Sequence, residues 1–241
     1  MNSTAHPQNE RRRHERYHLL SGLAQGPVAT ISGPGWASHA PLLNLSYGGM
    51  QMAASSGAAV MAPGTEIGGV LHLNLSSRLA QNVRFHVVAT TANTVSCAFI
   101  HDNPDALLFM RPWMECLRRG SALTELAKGA VKPELSAAGW HVWRGDGPLT
   151  LSARNLDAPI PEWRIVFQLG EEYAEVGSAN GKAFTRRSLD NDGFNSPRMQ
   201  ASGDRDVSLL NTAVMLLAGD ASGSVPAILR VKLVDQLRSG T

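Results

Sequence analysis

Short apolar runs that alternate with polar residues fill the chain from residue 17 to residue 101, and they constrain the fold more than any other feature. Three runs show the two-residue period of a half-buried β-strand: Leu71, Leu73 and Leu75; Val83, Phe85, Val87 and Ala89; and Val95, Cys97 and Phe99. Further strand candidates are Val28–Ile31, Leu42–Leu45 and Met50–Ala53. Clusters of Gly, Pro, Asn and Ser supply a turn signal about every ten residues. Short strands joined by tight turns predict an antiparallel barrel.

The period changes to that of a helix in Asp105–Arg119, where apolar side chains recur every three to four residues. Asn103 is a candidate helix cap, Pro104 suits the first helical position, and Gly120 is expected to end the helix. We expect this helix to close the mouth of the barrel, with its Met and Trp side chains in the core.

A second unit of the α+β class is predicted for residues 121–241. Residues 121–138 are expected to be helical, with breaks at Gly129 and Pro133. Asn180-Gly181 predicts a two-residue hairpin, and residues 190–203 a polar loop. The expected strands and helices are Trp140–Trp143, Leu149–Ala153, Arg164–Leu169, Tyr173–Val176, Lys182–Arg186, Asp206–Ala218 and Pro226–Leu237. This order is similar to that of type III secretion chaperones, a likeness of fold that identifies no activity.

Composition and charge narrow the class of protein. The chain has 241 residues, 43% of them hydrophobic, and a formal net charge of only +2, which argues against a dedicated binder of DNA or RNA polymers. Cys97 and Cys116 lie within apolar patterns and are expected to be small buried side chains, as in a reducing cytoplasm. Residues 1–10 are polar and show no signal peptide, and Val207–Leu217 is too short to span a membrane. The sequence therefore predicts a soluble, cytoplasmic protein.

An arginine-rich arm precedes the first apolar residues of the barrel. It carries Arg11, Arg12, Arg13 and Arg16 just before Tyr17. A guanidinium group is planar and permanently charged, so it can bind a phosphate or the O6/N7 edge of guanine bidentately, and it can stack on a base. An alternative is a solvated basic tail or a nonspecific nucleic-acid patch.

Asn44-Leu45-Ser46-Tyr47-Gly48-Gly49 follows Arg16 by about 28 residues and lies where two predicted strands meet. Its Asn and Ser side chains offer compact donors and acceptors. The two glycines allow positive φ and remove any Cβ that would obstruct a base or phosphate. The alternative is an ordinary β-turn with a side-chain hydrogen bond.

The pair Arg-x-x-x-Arg followed by Asn-x-Ser-x-x-Gly resembles the PilZ domain, a bacterial receptor for cyclic di-GMP. The resemblance covers about residues 10–119 and implies a six-stranded antiparallel barrel with a C-terminal helix. It divides the chain into a disordered lead-in (1–10), a PilZ cyclic di-GMP-binding barrel (11–119) and an α+β output or partner-interaction domain (121–241). One departure concerns the late strand Val95–Phe99, which keeps a phenylalanine but lacks the glycine that often precedes it in the family.

The resemblance also implies roles for individual residues. Arg12 and Arg16 would hold guanine and phosphate groups, while Asn44, Ser46 and Gly49 would line the other side of the ligand. Arg11 is similar to an arginine found in members that take up a stacked pair of ligands. The resemblance thus implies a receptor that relays the signal to its C-terminal domain or to a protein partner, controlling motility, biofilm formation or secretion. The sequence does not decide the oligomeric state, and a homodimer is one alternative.

Catalytic and metal-binding sets are not recognisable in the sequence, so neither an enzyme nor a cofactor other than the cyclic di-GMP ligand is expected. Asp190–Gly193 departs from the calcium-loop pattern at its first and last ligand positions. His14 and His18 have no neighbouring Cys or acidic cluster, which argues against zinc. Glu171-Glu172 and Glu175 are expected on an exposed strand edge. Two alternatives stay open: a PilZ-like scaffold or chaperone-like interaction protein that binds no nucleotide, and an enzyme in the C-terminal half.

Overall fold

The structure is a computed structural model that describes residues 15–33, 39–54, 61–179, 182–188, 199–201, 206–219 and 224–239. Its first half holds the strands β1 (Tyr17–His18), β2 (Ala29–Ser32), β3 (Ala40–Ser46), β4 (Gly49–Ala53), β5 (Glu66–Asn74), β6 (Arg78–Thr90) and β7 (Thr94–Phe99) and the helix α1 (Pro104–Ser121). The second half holds β8 (Thr124–Glu125), a 3-10 turn (Lys128–Ala130), α2 (Pro133–Ala137), β9 (His141–Arg144), β10 (Thr150–Arg154), β11 (Glu162–Leu169), β12 (Glu172–Ala179), β13 (Lys182–Ser188), β14 (Met199–Ala201), α3 (Val207–Leu217) and α4 (Ala227–Ser239).

The first sheet closes into a six-stranded antiparallel barrel, as the alternating pattern predicts. Its strand order is β3-β2-β5-β6-β7-β4, and β4 pairs back onto β3. The alternating side chains point inward, so that Leu45, Leu71 and Phe85 are completely buried. One strand was not predicted: β1 adds to the outside edge of β3. With two residues it is too short to show a period in the sequence.

Helix α1 begins as predicted and packs mainly against another helix. The Asn103 side chain caps it by accepting a hydrogen bond from the amide of Asp105, at 3.0 Å. The helix continues to Ser121, one residue beyond the glycine expected to end it. Its buried face includes Trp113 and contacts α3 more than it contacts β1 or β6 of the barrel. Helix α1 therefore joins the two halves more than it covers the barrel.

The second sheet is a seven-stranded antiparallel meander in the order β14-β13-β12-β11-β10-β9-β8. The five predicted strands are present, and β12 pairs with β13 across the predicted turn, although residues 180 and 181 themselves lie outside the described residues. The helix expected over residues 121–138, with breaks at Gly129 and Pro133, was wrong for most of its length. After Ser121, the last residue of α1, only Pro133–Ala137 of this segment is α-helical, and Thr124–Glu125 pairs with β9 at the edge of the sheet instead.

The prediction that Glu175 lies on an exposed strand edge was also wrong. Strand β12 is flanked by β11 and β13, and Glu175 is 5% exposed. Its carboxylate lies 3.8 Å from Arg164 and 3.3 Å from Arg186. The charge is buried because two arginines compensate it.

One continuous hydrophobic cluster runs through both halves of the molecule. Gly120 lets α1 approach α3 so closely that a Cβ there would lie 1.8 Å from the Leu216 carbonyl oxygen. The buried Arg230 of α4 donates to the Gly120 carbonyl at 2.8 Å. Polar contacts add to this junction, because Asn211 of α3 donates to Ser77 in the β5–β6 turn at 2.9 Å. A large apolar interface of this kind favours movement of the halves as one body.

Candidate functional site

Strand β1 brings the end of the arginine arm beside the Asn-x-Ser-x-x-Gly motif. Tyr17 pairs with Leu45 and His18 pairs with Asn44 in antiparallel register. Arg16 is exposed and immediately precedes Tyr17, so it lies toward the end of β3 that carries Ser46. Arg11 and Arg12 lie outside the described residues. The part of the arm that is described thus runs along the strand carrying the second motif.

A row of polar side chains crosses the outer surface of the barrel at this point. Paired residues of antiparallel strands share a face, and the register links His18 of β1, Asn44 of β3, Gln51 of β4 and Ser96 of β7. Leu45, between the two motif side chains, points into the core and is completely buried. Asn44 and Ser46 are therefore on the outer face, opposite the core.

Asn44 and Ser46 are covered and hydrogen-bonded within the protein, although they were predicted to line a ligand. Asn44 is 3% exposed and Ser46 is 5% exposed. The Asn44 Nδ2 donates to Gln51 Oε1 at 2.7 Å, and the Ser46 hydroxyl donates to the Gly49 carbonyl at 3.1 Å. Because a hydroxyl has one proton, Ser46 can only accept a further hydrogen bond. A ligand can reach either side chain only after the groups that cover them move aside.

Gly49 is required by a close approach of two strands. Its φ lies outside the left-handed region, so the freedom to adopt positive φ is not what this glycine supplies. A Cβ at this position would lie 2.1 Å from the backbone oxygen of Cys97 on β7. The opposing residue in the register is Ala98. A glycine at position 49 therefore allows β4 and β7 to approach this closely.

Substituting Gly49 tests this structural role. We expect Gly49→Ala to lower the free energy of unfolding by about 1–3 kcal/mol, because β4 and β7 must separate to admit the methyl group. Chemical denaturation of the ligand-free protein measures the change. Gly68→Ala on β5 is the matched control, because a Cβ there meets nothing within 4 Å. Equal stability of the two variants would contradict the packing role of Gly49.

The start of the described arm is anchored between the barrel and α1. Tyr17 is buried, and its hydroxyl donates to Glu15 Oε2 at 2.8 Å. Burial, followed by this hydrogen bond, raises the pKa of Tyr17, while Arg118 of α1 lowers it. Arg118 in turn pairs with Glu115 at 2.8 Å and with Asp146 at 2.9 Å. Charges of the arm, of α1 and of the β9–β10 turn are therefore neighbours.

The sequence did not single out Gln51 of the polar row or Thr94, to which Gln51 is hydrogen-bonded. Gln51 Nε2 donates to Thr94 Oγ1 at 3.3 Å, so Asn44, Gln51 and Thr94 form one chain of side-chain hydrogen bonds. The sequence does indicate that Gln51 faces outward, because it stands between Met50 and Met52, which are both buried, in a strand.

The described residues were also compared with the requirements of a metal site, a reactive thiol and a membrane-spanning helix. Among the described residues there is no group of three or more His, Cys, Asp or Glu that could hold a metal ion, and Asp190–Gly193 and His14 lie outside those residues. Burial raises the pKa of Cys97 to about 12 and of Cys116 to about 11, so both thiols stay protonated and unreactive at neutral pH. Within the described ranges no helix is both long and apolar enough to cross a lipid bilayer.

A cavity of about 550 Å³ opens elsewhere on the barrel, and its described lining includes none of Arg16, Asn44, Ser46 and Gly49. Ser32, Gly68, Asn82 and Arg84 are among its lining residues. Arg84 contacts Asp102 and lies 3.3 Å from Glu66, so its charge is already compensated. The described lining of this cavity therefore offers no uncompensated positive charge of the kind that a phosphate ligand needs.

Comparison with protein-family models and with curated proteins finds no match for this chain.

Proposed function

We propose that this protein is a cyclic di-GMP receptor, with a site formed by Arg11, Arg12 and Arg16 of the arm and the corner motif of Asn44, Ser46 and Gly49. The observation that supports the proposal is the pairing of β1 with β3, in which Tyr17 and His18, the residues after Arg16, lie opposite Leu45 and Asn44. The described end of the arm is thereby a neighbour of a motif that begins 28 residues after Arg16 in the sequence. A single small molecule can touch both.

The two halves of the site differ in chemistry, and so do the two parts of the ligand. The arginines are donors only and suit the phosphates and the O6/N7 edge of guanine, which are acceptors. The Ser46 hydroxyl donates its one proton to the Gly49 carbonyl, and the Asn44 NH₂ group donates to Gln51. Both therefore offer oxygen acceptors, which suit the N1–H and N2–H₂ donors of guanine. A guanine dinucleotide carries both kinds of group.

Binding must be coupled to a rearrangement, because Asn44 and Ser46 are buried. The groups that cover these two side chains move aside, so that the arm and the motif both contact the nucleotide. Each charge-assisted hydrogen bond contributes about 1.5–3 kcal/mol, against an ordering cost of about 1–2 kcal/mol for each backbone residue fixed. Several arginine contacts are needed for a favourable balance, which agrees with the clustering of arginines in the arm.

Ligand binding would change the protein surface formed by the arm and the neighbouring part of α1, and a protein partner would recognise that change. The halves share one hydrophobic cluster, and α1 and α3 are in close contact, so a hinge between them would break that cluster. The arm instead borders Glu115 and Arg118 of α1, and Arg118 contacts Asp146 of the second half. A protein partner that recognises the closed arm and this neighbouring surface would read the state of the receptor. Motility, biofilm formation and secretion are the outputs in keeping with such a receptor.

A thermal-shift titration tests the proposal. Cyclic di-GMP at about 100 times its Kd should stabilise the folded protein by about 2.7 kcal/mol through mass action, which raises the melting temperature. GTP is the control, because it shares the base and carries phosphates but is not a cyclic dinucleotide. A melting temperature unchanged by both nucleotides at millimolar concentration would reject the receptor function.

A scaffold that binds no nucleotide is the second candidate, and one observation favours it. The motif side chains Asn44 and Ser46 are hydrogen-bonded within the protein, and Gly49 is needed for packing. These residues thus have structural roles even without a ligand. The same titration separates the candidates, because only the receptor responds to cyclic di-GMP.

A further inference from the structure

A row of polar side chains crosses four neighbouring strands of the barrel, in the order β3-β2-β5-β6. His39 immediately precedes β3, Ser32 ends β2, His72 lies on β5 and Arg78 begins β6. The His72 Nε2 lies 3.0 Å from the Ser32 hydroxyl, and its Nδ1 lies 3.1 Å from Arg78 Nη2. The same Nη2 lies 3.4 Å from His39 Nε2. We call these four residues the imidazole cluster.

The guanidinium group of Arg78 fixes the direction of these hydrogen bonds. It carries only donors, so Nδ1 of His72 must accept and therefore carries no proton. A neutral imidazole has its one proton on the other nitrogen, so Nε2–H of His72 donates to the Ser32 oxygen. Turning the ring over would place carbon atoms against both partners, and a proton on Nδ1 would face the Arg78 donor. The arrangement therefore requires a neutral His72 in one tautomer.

His72 is buried among neutral groups and positive charge. Its pairing partners, Thr30 of β2 and Ala80 of β6, are uncharged. Among the described residues, Arg78 and His39 are the titratable groups that act on it. Burial, followed by Arg78 and then His39, lowers the pKa of His72 below its ordinary value of about 6.5. A proton on this ring therefore meets opposition and no compensating carboxylate in the described part of the barrel.

The imidazole cluster spans the shortest ladder between the six barrel strands. Within the described ranges β2 pairs with β3 at only two positions, whereas every other ladder of the barrel has at least four paired positions. One of the paired residues is Pro41, which has no backbone N–H to donate. The connection between the two strands includes residues 34–38, which carry no titratable side chain. The contact of Arg78 with His39 thus links β6 to the start of β3 where backbone hydrogen bonds are few.

We propose that the imidazole cluster is a proton-sensitive switch, which holds β3 against its neighbours at neutral pH and releases the β2–β3 ladder in mild acid. Protonation of His72 sets a second donor and a second positive charge against Arg78 Nη2. The guanidinium group then leaves the ring for solvent, which it can reach because Arg78 is exposed. Its contact with His39 is lost at the same time. This inference does not rest on the proposed function.

The switch makes the stability of the protein depend on pH in one direction. Because the pKa of His72 is lower in the folded chain than in the unfolded chain, the unfolded chain takes up the proton more readily. The free energy of unfolding is therefore fully retained above about pH 6.5 and falls as the pH is lowered from there toward the pKa of the folded state. Carboxylates titrate mainly below about pH 5, so the range from about pH 7.5 to about pH 5.5 reports chiefly on histidines.

The experiment compares Arg78→Gln with Arg78→Lys. Lysine keeps a positive charge and carries only donors, whereas a glutamine carboxamide can donate to a neutral ring or accept from a protonated one. Urea denaturation at about pH 7.5 and about pH 5.5 measures the acid shift, which is the fall in the midpoint urea concentration between the two conditions. We expect the acid shift of the wild type to persist in Arg78→Lys and to be at least about halved in Arg78→Gln.

His101→Gln is the matched control, because His101 is exposed and lies outside the imidazole cluster, so this variant should keep the acid shift of the wild type. A wild-type protein without an acid shift would overturn the inference. Equal acid shifts in wild type, Arg78→Lys and Arg78→Gln would overturn it as well.

Nuclear magnetic resonance tests the hydrogen bonds themselves. At neutral pH the nitrogen shifts of the His72 ring should show the proton on Nε2 and none on Nδ1. In an acid titration this ring should take up its proton at a lower pH in the wild type than in Arg78→Gln, which lacks the opposing charge. A proton on Nδ1, or the same titration midpoint in both proteins, would refute the switch even if a variant proved less stable.

Amide hydrogen exchange locates the structural change. After correction for the intrinsic effect of pH on exchange, amides of β2 and of the start of β3 should lose protection in mild acid, while those of β6 and β7 keep theirs. The loss should be smaller in Arg78→Gln. A loss of protection spread evenly over the barrel would contradict release at the β2–β3 ladder.

Discussion

Arg16→Ala is expected to weaken cyclic di-GMP binding at least about tenfold, since it removes charge-assisted hydrogen bonds worth about 1.5–3 kcal/mol each. Arg12→Ala should have an effect of the same size. Arg16 is exposed and lies just before β1, so its loss should leave thermal unfolding of the ligand-free protein almost unchanged. Titration calorimetry measures the affinity, and differential scanning calorimetry the stability.

Two controls make this result specific to the site. Arg144→Ala removes an exposed arginine from the second sheet and should leave the affinity unchanged. Arg16→Lys keeps the charge but loses the planar fork of donors, so its affinity should lie between those of wild type and alanine. Equal affinities for wild type, Arg12→Ala and Arg16→Ala would show that the arm is not part of the site.

Gly120→Ala is expected to lower the free energy of unfolding by about 2–3 kcal/mol. Within a helix alanine is intrinsically favoured over glycine by about 1 kcal/mol. This gain is outweighed because the new Cβ would lie 1.8 Å from the backbone oxygen of Leu216, which forces α1 and α3 apart. The Gly120 carbonyl also accepts a hydrogen bond from the buried Arg230, which the displacement would lengthen.

Chemical denaturation followed by tryptophan fluorescence and by circular dichroism measures this change. Because the hydrophobic cluster spans both halves, the two probes should report one transition, shifted to lower denaturant concentration in the variant. Gly129→Ala is the matched control, since a Cβ there meets nothing within 4 Å and the residue is exposed. Two separate transitions in the wild type would contradict a shared core.

The barrel could be predicted from the sequence because each strand has one buried and one outer face. The two-residue period of Leu71, Leu73, Val83 and Phe85 is the direct consequence of that geometry, and all of them are buried. Helix α1 could also be predicted from the sequence, because its cap is local: the Asn103 side chain and Pro104 act within one turn. Local chemistry and strict periodicity are visible without knowledge of tertiary contacts.

Other elements depend on partners distant in the chain and were missed for that reason. Strand β1 forms only because β3 offers an edge. Thr124–Glu125 is a strand because β9 is beside it, although the surrounding composition favours helix. The burial of Glu175 results from its position between Arg164 and Arg186 on other strands. Tertiary context overrides local propensity at each of these places.

The candidate site was predictable in composition but not in arrangement. The motifs identified Arg16, Asn44 and Ser46, and pairing of β1 with β3 brings the two residues after Arg16 opposite Leu45 and Asn44. That Asn44 and Ser46 are hydrogen-bonded to residues of β4, and that Gly49 packs against β7, follows from neighbours that no sequence motif specifies. Gln51 was missed because a single glutamine in a strand is normally an ordinary outward-facing residue.

Amide chemical-shift mapping during a titration with cyclic di-GMP tests most directly whether the arm and the corner motif hold one ligand. We expect the largest shifts together in residues 16–18, 44–51 and 94–98, with little change around Gly68 and Arg84 of the separate cavity. Shifts confined to the arm, shifts centred on that cavity, or a spectrum unchanged at saturating nucleotide would each contradict a shared site.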